Sequence, residues 1–376
     1  MFNSNKNADV VIIGGGVIGL SIARELARRG EREVTLVERG ELGAEASWAA
    51  GGMLGPQVEA DRPDDFFRLA CASRDLYPEF AGALLAETGV DVELDKTGTL
   101  YLGFTSSDEL EMRRRFDWQV KAGLQIEWLA GDEARQLEPN ISPHVRCALR
   151  FPNEYQVENR RVLQALAVST RKLGVSLVTN CTVNSVRSEK GKVAGVETSS
   201  GFIGSPVVIV SAGAWTSQIT PAHVQIDPVR GQMLCFNAHQ FARHVIYSPR
   251  GYLVPRRDGR LLAGSTSEHA GFDKRVTDDG AQSIKSMAFE IAPRLADFSL
   301  IDSWAGLRPR AEDNFPVLGP DEEVAGLSYA TGHYRNGILL APITAKLLAD
   351  SIIENTAPTV LRSFSPQRFR TVAAGA

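Results

Sequence analysis

The chain has 376 residues, 43% of them hydrophobic, and a formal net charge of −4 with the two signs interspersed. That length favours two domains over one large core, and the charge balance argues against nucleic acid as a partner. No apolar run approaches the roughly 20 residues that span a bilayer, and the first residues, Met1-Phe2-Asn3-Ser4-Asn5-Lys6, form no apolar leader, so no membrane partner is expected and the expected location is the cytoplasm.

The first predicted unit is a strand, a glycine turn, a helix and a second strand. Apolar residues Val10 to Ile13 lead into Gly14-Gly15-Gly16-Val17-Ile18-Gly19. Ile18, Ile22 and Leu26 then repeat at helical spacing, Gly30 stands where a C-cap belongs, and Val34-Thr35-Leu36-Val37-Glu38 forms the next strand. This is a dinucleotide cradle. Gly14 permits the tight turn, Gly16 lets backbone approach a pyrophosphate, and Gly19 lets the helix pack closely on the sheet. The phosphates rest on the helix N-terminus, where free N–H groups and the helix dipole favour an anion. Glu38, closing the second strand, is placed to accept hydrogen bonds from ribose hydroxyls.

Residues 43–54 are mostly small, which brings bare backbone close to a bound ring. A long amphipathic helix is predicted over 64–88, stopped at Gly89. Strand 97–104, a charged helix over 108–121, a short helix over 131–138 ended by Pro139, and strand 146–151 read as a second domain inserted into the first. A helix over 159–173 follows, then strands 175–179, 182–187 and 192–198, the last two joined at Lys190-Gly191. The apolar run 206–215 ends in small residues and reads as a central parallel strand approaching the ligand. Strand 228–236 and the hairpin 252–256/260–264 about Asp258-Gly259 open another antiparallel block. A helix over 278–292, closed at Pro293, ends it. Strand 300–310 leads back to the first domain. The final unit is strand 327–332, a glycine-bearing loop, and a helix starting at Pro342, whose N-terminus could face the bound ring. The chain after about Arg362 reads as loosely ordered.

Cys71, Cys147, Cys181 and Cys235 stand far apart, without a Cys-x-x-Cys pair or a histidine at ligand spacing. They read as reduced, buried thiols, and no metal site is expected. Redox chemistry would therefore use a bound cofactor.

Four segments carry a family resemblance: Gly14 to Gly19 with Glu38; Ser47 to Leu54; Trp304-Ala305-Gly306-Leu307-Arg308-Pro309; and Gly332-His333-Tyr334-Arg335-Asn336-Gly337-Ile338-Leu339-Leu340-Ala341-Pro342. In order and spacing, over about residues 9 to 365, the chain resembles FAD-dependent amine oxidases of the D-amino-acid oxidase superfamily, and within it the bacterial glycine oxidase of thiazole synthesis. The resemblance implies an α/β fold, α+β overall. A discontinuous Rossmann-like FAD-binding domain (8–90, 152–225 and 305–365) would carry an inserted antiparallel-sheet substrate domain (91–151 and 226–304), with 366–376 as a tail. It implies Val17 and Ile18 at the pyrophosphate turn, Glu38 and Arg39 at the adenosine, and Val183 on the adenine side. Ala46, Ser47, Gly51, Gly52 and Met53 would line the flavin and its phosphates, and His333, Tyr334, Arg335, Asn336, Gly337, Ile338 and Leu339 would wrap its ring. FAD is expected to be noncovalent, since related sarcosine oxidases carry a flavin-linking cysteine near the chain end and none follows Cys235 here. Gln156 stands where the family pattern has histidine. A homotetramer is implied.

The resemblance also assigns the chemistry. Arg308 is the substrate-carboxylate arginine, Tyr252 shares that carboxylate and Arg335 makes a second substrate contact. A guanidinium fork suits a carboxylate because it makes two parallel charge-assisted hydrogen bonds. With the carboxylate fixed, a hydride can pass from the substrate Cα to flavin N5 without a general base. Glycine, sarcosine or D-alanine would give an imine, then glyoxylate or another 2-oxo acid and ammonia. Dioxygen would reoxidise the flavin to give hydrogen peroxide, and the role would lie in thiamine synthesis. Two alternatives are a D-amino-acid dehydrogenase that reduces a quinone, and an NAD-dependent enzyme or nucleotide-binding subunit.

Overall fold

The computed structural model describes residues 6–30, 33–220 and 224–370; the expectations for Met1 to Asn5 and for 371–376 lie outside them. A six-stranded sheet runs in the order Val317–Pro320, Leu327–Thr331, Val207–Val210, Val10–Ile13, Val34–Val37 and Ser176–Val178. Every pairing in it is parallel except that of the edge strand Val317–Pro320. Val10–Ile13 and Val34–Val37 are buried at every position, as unbroken apolar strands are when both faces are covered. Helices Val17–Arg28, Asp65–Thr88, Asn159–Lys172 and Gly337–Ile353 supply one cover. The small sheet of Lys6–Asn7, Gly201–Gly204, Lys192–Thr198 and Val183–Glu189 supplies part of the other.

An eight-stranded sheet draws its strands from 99–151 and 226–311. It is antiparallel throughout except where Val245–Ser248 lies parallel to Thr99–Gly103, a departure from the expected all-antiparallel block. Four of the strands, Glu127–Ala130, Gly201–Gly204, Val245–Ser248 and Val317–Pro320, were not legible from periodicity. Each is four residues long and bounded or interrupted by glycine or proline, too short for an alternation to register.

The last helix begins at Gly337 with Asn336 as N-cap, five residues before the predicted start at Pro342. Proline inside a helix leaves the carbonyl four residues back without a donor. Here that carbonyl is Ile338 O, and the Tyr77 hydroxyl donates to it, while Ser73 Oγ donates to Leu339 O at 2.6 Å. A neighbouring helix thus supplies the missing donor, and the helix runs through Pro342. The chain after Arg362 is also better ordered than expected up to residue 370. Phe364 is fully buried, Pro366–Phe369 forms a short helix, and Arg368 Nε donates to Asp313 at 2.7 Å.

Candidate active site

The cleft opens between the parallel sheet and the eight-stranded sheet. It encloses about 1680 Å³ including its open mouth.

At one end the glycine turn behaves as its sequence requires. Gly14 has φ +103°, and a Cβ there would lie 2.4 Å from Ser211 O. A Cβ on Gly19 would lie 2.0 Å from Gly14 O, so helix and strand approach to backbone contact. The helix starts at Val17 with Gly16 as N-cap, no side-chain cap and no acidic residue in its first turn, which leaves its positive end for an anion. Glu38 accepts from Gly15 N at 2.7 Å and Gly40 N at 3.0 Å, holding the turn as well as lining the cleft. Ser47 lies in a one-turn helix, Ala46–Ala49, and its hydroxyl accepts from Val17 N at 3.1 Å. A Cβ on Gly16 would meet nothing but that hydroxyl, at 3.3 Å. The bare backbone there fits a pyrophosphate.

The small-residue stretch is tied down by a buried cation. Arg256 Nη2 donates to Gly51 O at 2.9 Å and to Asn159 Oδ1 at 3.1 Å, and Nη1 donates to Val157 O at 2.9 Å. Asn159 in turn donates to Ser47 O at 2.8 Å and Trp48 O at 3.0 Å. Burial brings the Arg256 guanidinium down to about 10. Gln156, the departure from the family pattern, accepts from Arg256 Nη1 at 3.3 Å.

The other end is made of side chains. Arg308, on strand Leu300–Ala311, donates through Nη2 to Ser265 Oγ at 2.6 Å and through Nη1 to Thr266 O at 3.0 Å. Among the described residues no carboxylate pairs with it. Its guanidinium lies across Gly231, where a Cβ would come within 2.1 Å of Nη2. Tyr252 donates to the same Ser265 Oγ at 3.2 Å, and its ring stands 5.5 Å from that of Tyr247. Arg335 donates to Glu59 Oε1 at 3.1 Å, and the Glu59 charge raises the guanidinium above its ordinary value. His333 is buried with Nε2 3.1 Å from Thr344 Oγ1, and burial holds it at about 3, so the ring is neutral.

The cleft gathers Gly14, Gly16, Val17, Ile18, Glu38, Arg39, Ala46, Ser47, Gly51, Gly52, Met53 and Val183 with Tyr252, Arg308, His333, Tyr334, Arg335, Gly337 and Ile338. Three expected residues do not line it. Gly19 packs on the strand, Asn336 caps the last helix, and Leu339 faces the core. The helix terminus that meets the cleft is at Gly337, since the predicted one near Ala341 is buried mid-helix. Sequence reasoning missed Ser265, Glu59, Arg256 and Gly231. Polar residues in a loop, or an arginine after a strand, carry no periodic signal, and Gly231 shows its purpose once its partner strand is known.

A dinucleotide cradle and an unpaired guanidinium opening on one cleft define an oxidoreductase that works through a bound dinucleotide. The chain belongs to the DAO family of FAD dependent oxidoreductases, which it matches over residues 9–351. It is 38% identical over 346 residues to glycine oxidase of Pseudomonas aeruginosa, covering 91% of this chain and 93% of that protein. It is 35% identical to the bifunctional protein ThiO/ThiG of Trichormus variabilis, covering 97% of this chain but 56% of that longer protein. The crystal structure of glycine oxidase from Geobacillus kaustophilus superposes with a TM-score of 0.92 at 33% identity, covering 96% of this chain and 99% of that one. The family read from the four segments, the mixed α/β fold with its Rossmann-like core, and dependence on FAD are all borne out.

Proposed function

We propose that this chain oxidises glycine, and other small amines or D-amino acids such as sarcosine and D-alanine, with dioxygen as electron acceptor and hydrogen peroxide as product. The observation that carries the reading is Arg308, a partly buried guanidinium that faces the cleft with only neutral acceptors beside it. A partly buried cation with only neutral acceptors can take one anion, and a carboxylate matches its fork. The names of the relatives at 34–38% identity support glycine as that anion's carrier. The ThiO/ThiG relatives support a role in thiamine synthesis.

Bound FAD supplies the two-electron acceptor. Gly14, Gly16, Val17 and Ser47 would hold its pyrophosphate end, and Glu38, Arg39 and Val183 its adenosine. Among the described residues Cys181 is the cysteine that lines the cleft, and it stands two residues from Val183, assigned here to the adenosine, which supports noncovalent attachment at the reactive end. Arg308 and Tyr252 grip the substrate carboxylate, and Ser265, touching both, sets their spacing. Met233, whose sulfur lies 3.4 Å from the Tyr252 hydroxyl, and Met53 also line the cleft, and their bulk suits substrates with small side chains. The helix start at Gly337, which lines the cleft, would place its partial positive charge where a bound ring could use it. Neutral His333, bonded to Thr344, takes no proton at working pH, and no other acid–base side chain is assigned. We assign FAD to the segments of the parallel sheet and substrate binding to the eight-stranded sheet. A homotetramer in the cytoplasm completes the reading.

Anaerobic glycine should bleach the flavin spectrum, and air should restore it with near-stoichiometric peroxide. A flavin left oxidised by glycine, sarcosine and D-alanine alike would remove the proposal.

A further inference from the structure

The two arginines at the substrate end are held in opposite electrostatic states. Arg308 donates only to neutral oxygens, Ser265 Oγ and Thr266 O. Arg335 already holds a carboxylate, Glu59 Oε1 at 3.1 Å, and the Tyr247 hydroxyl donates to that same oxygen at 3.2 Å. Glu59, Arg335 and Arg308 all line the one cleft. Contacts run without a break from Arg308 through Ser265, Tyr252 and Tyr247 to Glu59 and Arg335. The end of the cleft therefore offers a ligand one uncompensated positive charge.

The geometry points to Glu59 as a specificity-determining residue: by neutralising Arg335 it admits amines with a single carboxylate and turns away those bearing a second anionic arm. The inference rests on the reading that substrates enter as carboxylate-bearing amines. Among the described residues the second guanidinium at this end of the cleft is that of Arg335, and a second carboxylate there meets the Glu59 charge at contact range. Like charges so placed oppose binding even in a partly solvated site. The side chains of Glu59 and Arg335 are 26% and 39% exposed, so the pair stands where solvent and entering ligand reach it. Removing the negative charge while keeping the shape would release Arg335 as a second anchor.

The test compares ligands that differ by one charge. Sarcosine and iminodiacetate share a secondary amine and one carboxylate, the second carrying a carboxylate in place of a hydrogen on the N-methyl group. Acetate and malonate make the same comparison without turnover, through their perturbation of the flavin spectrum. In Glu59→Gln the ratio of kcat/KM for iminodiacetate to that for sarcosine should rise at least about tenfold. The affinity for malonate relative to acetate should rise by a similar factor. In Glu59→Gln with Arg335→Gln both ratios should return to within about threefold of the unaltered enzyme, since the freed anchor is gone. Glu59→Ala carries the same prediction should the glutamine variant not accumulate. Ratios unchanged in an FAD-loaded Glu59 variant overturn the inference. If the malonate ratio moves while sarcosine leaves the flavin oxidised, the charge gate stands and the amine-oxidase reading fails. If sarcosine is turned over and both ratios stay unmoved, the amine-oxidase reading stands and the charge gate fails.

Discussion

The nucleotide end of the cleft is built from backbone, and the substrate end from side chains. At the first, Gly14, Gly16 and Gly19 act by what they lack, and they come from one short stretch beside the first strand. At the second, Arg308, Tyr252, Ser265, Glu59 and Arg335 act by the groups they carry, and they come from five separate segments. The two ends should therefore fail in different ways. Adding a methyl group damages the one, and removing a functional group damages the other.

The largest effect should follow Arg308→Ala. Loss of the carboxylate anchor should lower kcat/KM for glycine by about 10³ or more, about 4 kcal/mol at the transition state, while the bound-flavin spectrum stays as it was. Arg308→Lys should recover only part of the loss, since an ammonium cannot reproduce the fork. Steady-state kinetics beside a visible spectrum check both.

A second contrast concerns pH. Glu154 Oε1 accepts from Gln57 N and Val58 N, both at 2.7 Å, and so holds the loop that leads to Glu59. Burial raises its carboxyl from an ordinary 4.5 to about 7. The unfolded chain loses this proton near pH 4.5 and the folded chain near 7, so between them the folded state binds the extra proton. Stability should therefore fall as pH rises through that window and level off above it, by about 3 kcal/mol at most. Glu154→Gln should flatten this part of the Tm-against-pH curve; an unchanged slope would place the proton elsewhere.

Gly231 tests the substrate end with the kind of change that suits the other. A Cβ there would come within 2.1 Å of the Arg308 guanidinium. Gly231→Ala should push the fork aside and cost about 30-fold in kcat/KM for glycine, mostly through KM. Gly16→Ala makes the matching test at the nucleotide end. Its Cβ would meet only Ser47 Oγ in the protein, so the Tm of the FAD-free protein should shift little. The Kd for FAD, followed by flavin fluorescence, should rise about tenfold as the methyl group displaces the pyrophosphate. A Gly16→Ala variant that binds FAD normally would show that the phosphates lie elsewhere.

This division also explains what was legible in the sequence. The nucleotide end is local: turn glycines, an apolar strand and helical spacing all act within one unit, so its strand–helix–strand order could be read from Val10 to Glu38. Arg308 and Tyr252 were found through the segments they sit in, and neither has a spacing that announces it. Ser265 and Glu59 became visible only when strands far apart in sequence were brought together. The start of the last helix was misplaced because Pro342 reads as a helix opener, and nothing near it in sequence reveals that Tyr77 satisfies Ile338 O. The order beyond Arg362 depends on Asp313 in the same non-local way.

The central claim is that Arg308 holds a substrate carboxylate beside the flavin. It is tested most directly by the anaerobic rate of flavin reduction with glycine and with methylamine, which lacks the carboxylate, in the unaltered enzyme and in Arg308→Ala. The account predicts that glycine reduces the unaltered enzyme far faster than methylamine does, and that this preference collapses toward unity in the variant. A preference for glycine that survives the loss of Arg308 would contradict it.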